Sequence, residues 1–261
     1  MLKQRVTTAV IALAALAIVL FVVPPLVAEL VIALVVLAGA WEWSAFLGGK
    51  TNLTRVVYLV CVAAIMAIVG MFWPDYVDRV LQVSLVWWVL ALVWTFLFPT
   101  PIPEPLRWIC GFLVLVPMYV ALVLLYQANP SLLLFALLIV WAADIGAYFV
   151  GKRFGRVKLA PSISPGKTWE GVIGGLVLVV LLTLGRSLWF ESDLMVLIPF
   201  CMAIACASIV GDLTVSMFKR TAGVKDSGTL FPGHGGLLDR VDSVAAAAPL
   251  FALGLGWTGL T

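Results

Sequence analysis

Long apolar runs, broken by short polar stretches, dominate the chain. They run from Val6 to Val23, Leu26 to Leu47, Val56 to Trp73, Val80 to Phe98, Trp108 to Tyr126 and Leu132 to Val150. Three more cover Val172 to Trp189, Leu194 to about Phe218, and Val244 to Trp257. Nearly all reach the length of about 20 residues that a helix needs to cross the hydrocarbon core. Helices also close every backbone hydrogen bond internally, which the bilayer demands. The pattern predicts an all-α polytopic membrane protein of about nine transmembrane helices. Pro24-Pro25 marks the break between the first two. A second span follows the first at once, so the first is read as an anchor and not as a cleaved signal.

Composition agrees. Of 261 residues, 64% are apolar and 11% are Asp, Glu, Lys or Arg. Soluble domains carry roughly 45–50% apolar and about 25% charged residues, so too few charges remain here to cover a water-facing surface. The same numbers exclude disorder. Cys61, Cys110, Cys201 and Cys206 all sit inside apolar runs with no Cys-x-x-Cys pair, and read as buried thiols, not as a disulfide framework or a metal site.

Charge then orients the chain. With nine spans, 14 of the 16 Lys and Arg fall on one side, together with the N-terminus (Lys3, Arg5) and the two long polar loops; only Arg79 and Arg186 fall on the other. The positive-inside rule puts the richer side in the cytoplasm. Trp87, Trp88 and Trp94 in the fourth span, with Trp73 and Trp108 at span ends, read as interfacial anchors. Residues 1–130 hold no internal polar constellation; Glu29 and Glu42 are the only acids within their apolar runs. This portion reads as transmembrane scaffold. Residues 131–261 read as the catalytic region, with cytoplasmic loops at 151–171 and 219–242.

Between Asp144 and Asp242 lie 18 of the 29 charged side chains. Asp144 and Asp212 interrupt apolar spans, where an acid costs about 2.5–3.5 kcal/mol on insertion scales and needs a partner, water or a metal. Asp144 and Tyr148 share a helix face. Asp212, Ser216 and Lys219 recur at i, i+4 and i+7, presenting carboxylate, hydroxyl and ammonium on one stripe. Carboxylates from two helices near one membrane face suit a hard divalent cation such as Mg²⁺. No His or Cys cluster points to zinc.

The loop Gly151–Gly171 combines five cations with Ser164, Thr168 and several Gly, and its Lys167-Thr168 pair stands where a phosphate could meet a helix N-terminus. It is not a Walker A loop, because Pro161 occupies the position of the upstream Gly. A basic loop touching anionic headgroups would carry the same cations. The stretch Ser216–Asp242 holds Lys219, Arg220, Lys225 and Arg240 against Asp226, Asp239 and Asp242, with the single His at 234. Paired carboxylates beside cations fit metal-assisted handling of phosphates. His234 beside Gly235-Gly236 reads equally as a turn imidazole, and is not assigned as a general base.

Those residues carry a resemblance. Ser216-x-Phe218-Lys219-Arg220, then Lys225-Asp226, Pro232-x-His234-Gly235-Gly236 and Asp239-Arg240-Val241-Asp242 resemble the signature of the phosphatidate cytidylyltransferases, or CDP-diacylglycerol synthases. Asp144 with Ala147-Tyr148, and Ser164-Pro165-x-Lys167-Thr168-x-Glu170-Gly171, resemble the same family, so the specific likeness covers roughly residues 140–245. The resemblance implies a nucleotidyltransferase of phospholipid biosynthesis in a bacterial cytoplasmic (inner) membrane. It would transfer CMP from CTP to phosphatidic acid with Mg²⁺ and release pyrophosphate. It implies Asp212, Asp239, Asp242 and Asp144 for the metal, and Lys219, Arg220, Lys225 and Arg240 around the triphosphate, with Asp226 a further catalytic residue beside Asp212 and Asp239. Ser164, Lys167, Thr168, Ser216 and His234 would bind substrate. No nucleic-acid partner is expected, and the apolar surface is compatible with a homodimer without requiring one. A CTP-dependent polyprenol or phytol kinase, which would leave CDP, and an ion-coupled transporter are the competing readings. The sequence shows no symmetry of the paired halves that transporter folds often carry.

Overall fold

A computed structural model describes residues 2–48, 51–228 and 235–258. Lys50 and His234 lie outside that set. Nine α-helices follow one another among the described residues: α1 (Leu2–Phe21), α2 (Pro25–Trp43), α3 (Asn52–Met71), α4 (Trp73–Leu97), α5 (Glu104–Ala128), α6 (Pro130–Phe154), α7 (Trp169–Ser187), α8 (Leu194–Thr221) and α9 (Leu238–Thr258). The helical, polytopic architecture is therefore as the apolar runs predict. Seven helices, α2 to α8, contain stretches long and apolar enough to cross a membrane, whereas the apolar part of α1 is the shorter Val10–Phe21. The opening turns of α9 carry Asp239, Arg240 and Asp242, so its apolar part begins late.

The helix ends follow local chemistry. Pro25 stands at the start of α2, where its missing N–H costs nothing. Side chains of Thr51, Asn129, Thr168 and Asp193 accept backbone N–H groups at the starts of α3, α6, α7 and α8. Each such cap stabilises its helix by typically about 1 kcal/mol.

Helix α5 runs through the middle and buries thirteen residues, Leu115, Met118 and Leu125 among them. Against it pack α2, α3, α4, α6 and α9, while α6 lies along α7 and α8 along α9. Large apolar side chains such as Leu34, Val60, Phe96, Phe149 and Leu181 point outward, as lipid-facing residues must.

Several sequence expectations change. Trp87 and Trp88 are 6% and 7% exposed and lie with tilted rings against each other inside the bundle, so they fill core and do not anchor an interface. Trp94 donates to Thr100 Oγ1 at 2.7 Å and packs edge-on to Phe218. An apolar run cannot say which of its faces meets protein, and α4 turns this one inward. The converse holds for Cys206, which is exposed on α8, while Cys110 and Cys201 are buried and Cys61 is half-buried; all four are free thiols.

The polar loops are shorter than drawn. Helix α6 continues to Phe154 and α7 begins at Trp169, and between them β1 (Lys158–Ala160) and β2 (Ser164–Thr168) form an antiparallel hairpin with an irregular register. Likewise Lys219 and Arg220 belong to α8, and Asp239 to Asp242 belong to α9. Backbone pairing inside the hairpin replaces what the sequence leaves as loop.

Candidate active site

Two close helix contacts bring the acids together. A Cβ added at Gly175 of α7 would sit 2.6 Å from the carbonyl oxygen of Ala143, next to Asp144 on α6. One added at Gly211, next to Asp212 on α8, would sit 2.5 Å from the carbonyl oxygen of Asp242 on α9. Only glycine permits such approaches. These approaches set α7 against α6 beside Asp144, and α8 against α9 beside Asp212 and Asp242.

Lys167, near the end of β2, reaches Asp212 Oδ2 at 2.6 Å. Ser216 donates to the other oxygen, Asp212 Oδ1, at 3.1 Å. The i, i+4 stripe read from sequence is therefore real. Asp144, Lys167 and Asp212 line a cavity of about 540 Å³ whose other walls include Tyr148, Thr168 and Ile209. Its acidic and cationic floor and apolar flank make it amphipathic.

Lys219, 8% exposed, donates to Asp239 Oδ1 at 2.8 Å and lies 3.9 Å from Asp242 Oδ2. The amides of Ser227 and Gly236 both donate to Asp239 Oδ2 at 3.0 Å. Asp239 stands ahead of the apolar part of α9. Burial pushes its carboxyl up, but Lys219 and those two amides outweigh burial and leave it below the ordinary carboxylate value. Asp242 is 6% exposed and accepts from the amide of Ser243 at 2.8 Å. Because Gly211, next to Asp212, lies against the carbonyl of Asp242, the two lysine-centred groups sit side by side in one polar seam.

Other expected residues take more structural positions. Arg220 donates through Nε to the carbonyl of Ile163 at 3.1 Å and so fastens the hairpin turn onto α8. Thr168 is buried, and its hydroxyl caps α7 by accepting from Gly171 N at 3.2 Å. Glu170 accepts from Val157 N at 3.1 Å and closes the hairpin base. Ser164 is half-buried on β2, paired with Ala160. Lys225, Asp226 and Arg240 are exposed, and Asp226 lies beside Gly235. Among the described residues no three His, Cys, Asp or Glu gather into a metal-ligating group. The four predicted acids therefore do not form a cage of their own: they stand as oxygen donors interleaved with two lysines.

Sequence reasoning missed Glu42. Its side chain comes from α2, in the part read as scaffold. It accepts from Ser227 Oγ, Leu237 N and Leu238 N at 2.9, 2.9 and 2.7 Å. The one available signal was an acid inside an apolar run.

The fold and this seam define a polytopic membrane protein with a carboxylate–lysine centre facing one end of the bundle. A model of the cytidylyltransferase family matches residues 3–256, and the chain belongs to that family. It is 44% identical over 270 aligned residues to the phosphatidate cytidylyltransferase of Pseudomonas aeruginosa, covering 98% of this chain and 99% of that protein. With the enzyme of the same name from Haemophilus influenzae it shares 37% identity over 281 residues, covering 97% and 98% of the two chains. A phosphatidate cytidylyltransferase of Staphylococcus aureus is 48% identical over 120 residues, or 45% of this chain and 46% of that one.

Proposed function

We propose that the chain transfers CMP from CTP to phosphatidic acid, giving CDP-diacylglycerol and pyrophosphate. The observation that carries this reading is the amphipathic cavity floored by Asp144, Lys167 and Asp212. A lipid phosphate needs a polar floor, and its glycerol and acyl chains need an apolar exit. A phosphomonoester oxygen of phosphatidate attacks the α-phosphorus of CTP; the bond from that phosphorus to the bridging oxygen breaks, and pyrophosphate leaves with its electron pair. A phosphomonoester is already anionic at neutral pH, so no strong base is required. Positioning and charge neutralisation supply the rate. Lys167 and Lys219 neutralise phosphate charge at the seam, and the exposed Lys225 and Arg240 gather the triphosphate at its mouth. Ser164, Ser216 and His234 contact substrate.

The donor set suits Mg²⁺, which is typically held by one or two carboxylates and completes its shell with waters and substrate phosphates. Asp212 and Asp239, with Asp144 and Asp242 beside them, would hold it. Such an ion would supply charge stabilisation on the phosphate oxygens. The site would face the cytoplasm of a bacterial cell and take CTP from water and phosphatidate sideways from the bilayer. The deciding experiment measures pyrophosphate release from CTP by the purified protein in liposomes. Release that needs both phosphatidate and Mg²⁺ is expected. Formation of CDP, or no dependence on phosphatidate, overturns the reading.

A further inference from the structure

Glu42 stands at the end of α2, 185 residues in sequence from one of its partners, and only 6% of it is exposed. Its Oε2 accepts from the hydroxyl of Ser227 and the amide of Leu238, and its Oε1 accepts from the amide of Leu237. Leu237 immediately precedes α9 and Leu238 begins it, and amides at a helix start belong to the N–H groups that a helix cannot satisfy internally. A carboxylate there also meets the positive end of the helix dipole. One side chain of α2 therefore joins Ser227, just beyond α8, to the beginning of α9. The fit is tight. A Cβ at Gly228 would fall 2.5 Å from Glu42 Oε1, and one at Gly236 would collide with Oε2 and with Ser227 Oγ.

The same two points hold Asp239, since Ser227 N and Gly236 N both donate to its carboxylate and Lys219 completes its surroundings. We infer that Glu42 is a positioning residue of the transfer reaction: it clasps Ser227 to the α9 N-terminus and so sets Asp239 and Asp242 against Lys219. The inference rests on the proposed transferase reading.

The test uses the full chain in liposomes. Glu42→Gln should lower kcat about 10–100-fold, the range seen when groups that orient active-site ligands are lost. The KM for CTP should stay within about twofold, as expected when an orienting contact and not ground-state binding is removed. Amide exchange in a peptide spanning residues 235–242 should accelerate while exchange in α5 stays unchanged. Glu42→Asp should recover part of the activity. Gly228→Ala, which keeps the carboxylate but crowds it, should move kcat and exchange in the same direction and decides the matter if Glu42→Gln fails to fold. Unchanged kcat, or exchange that rises equally in α5, overturns the clasp. If the wild-type protein releases no pyrophosphate, the transferase reading fails. The exchange measurement then still decides whether Glu42 holds α9.

Discussion

Asp212 divides its two oxygens between a hydroxyl on its own helix and an ammonium from the hairpin. An amide in its place would keep the shape but lose the charge that pairs with Lys167 and would serve a hard cation. Asp212→Asn should therefore lower transfer by about 10²–10³, the loss typical for a preorganised electrostatic group, with membrane insertion unchanged. Near-normal pyrophosphate release would contradict its role. Lys167→Met should reduce kcat/KM for phosphatidate by about tenfold or more, since a charge-assisted contact to phosphate disappears; steady-state kinetics in mixed micelles measure it. Asp212 is legible in the sequence because a charge inside an apolar run must have a reason, and Lys167 because it stands with Thr168 just ahead of a helix start. Glu42 showed the same sign, but its partners lie far along the chain, and no periodicity links positions so distant.

Where α6 and α7 meet, the approach is set by absent side chains. Gly175→Val should open that contact and cost about 1–3 kcal/mol, as overpacking does, with a fall in the thermal midpoint in detergent and weakened transfer. Gly185→Ala on the same helix is the control: nothing lies within 4 Å of its added Cβ, and removing a helix glycine should be neutral or stabilising by about 0.5–1 kcal/mol. The long helices could be read directly from apolar runs, because a run of that length has few other fates. The hairpin could not. Its strands span only Lys158–Ala160 and Ser164–Thr168, too short and polar for alternation to register, and it is fastened by Glu170 and Arg220 from outside. Trp87 and Trp88 were misjudged for a related reason: composition places a tryptophan in a span, and only packing tells which way it faces.

Across the bundle, charge asymmetry makes a statement about sidedness. The hairpin and Arg186 stand at opposite ends of α7, a helix of 19 residues and so about 28 Å long. In a protein whose four cysteines are replaced by Ala, Ser162→Cys should react with an impermeant maleimide only in inverted vesicles. Glu191→Cys should react in right-side-out cells. The reverse pattern would refute the cytoplasmic assignment of the site.

The hydrogen bonds of Glu42 also bear on how such a chain can be cut, shuffled or inherited. A fragment comprising residues 131–261 would carry nearly all the chemistry, yet it would leave the first amides of α9 and the Ser227 hydroxyl without their acceptor. The two halves are thus not exchangeable modules. Positions 42, 227, 228 and 236 make up a single lock, so a change at one should be tolerated only where the others accommodate it.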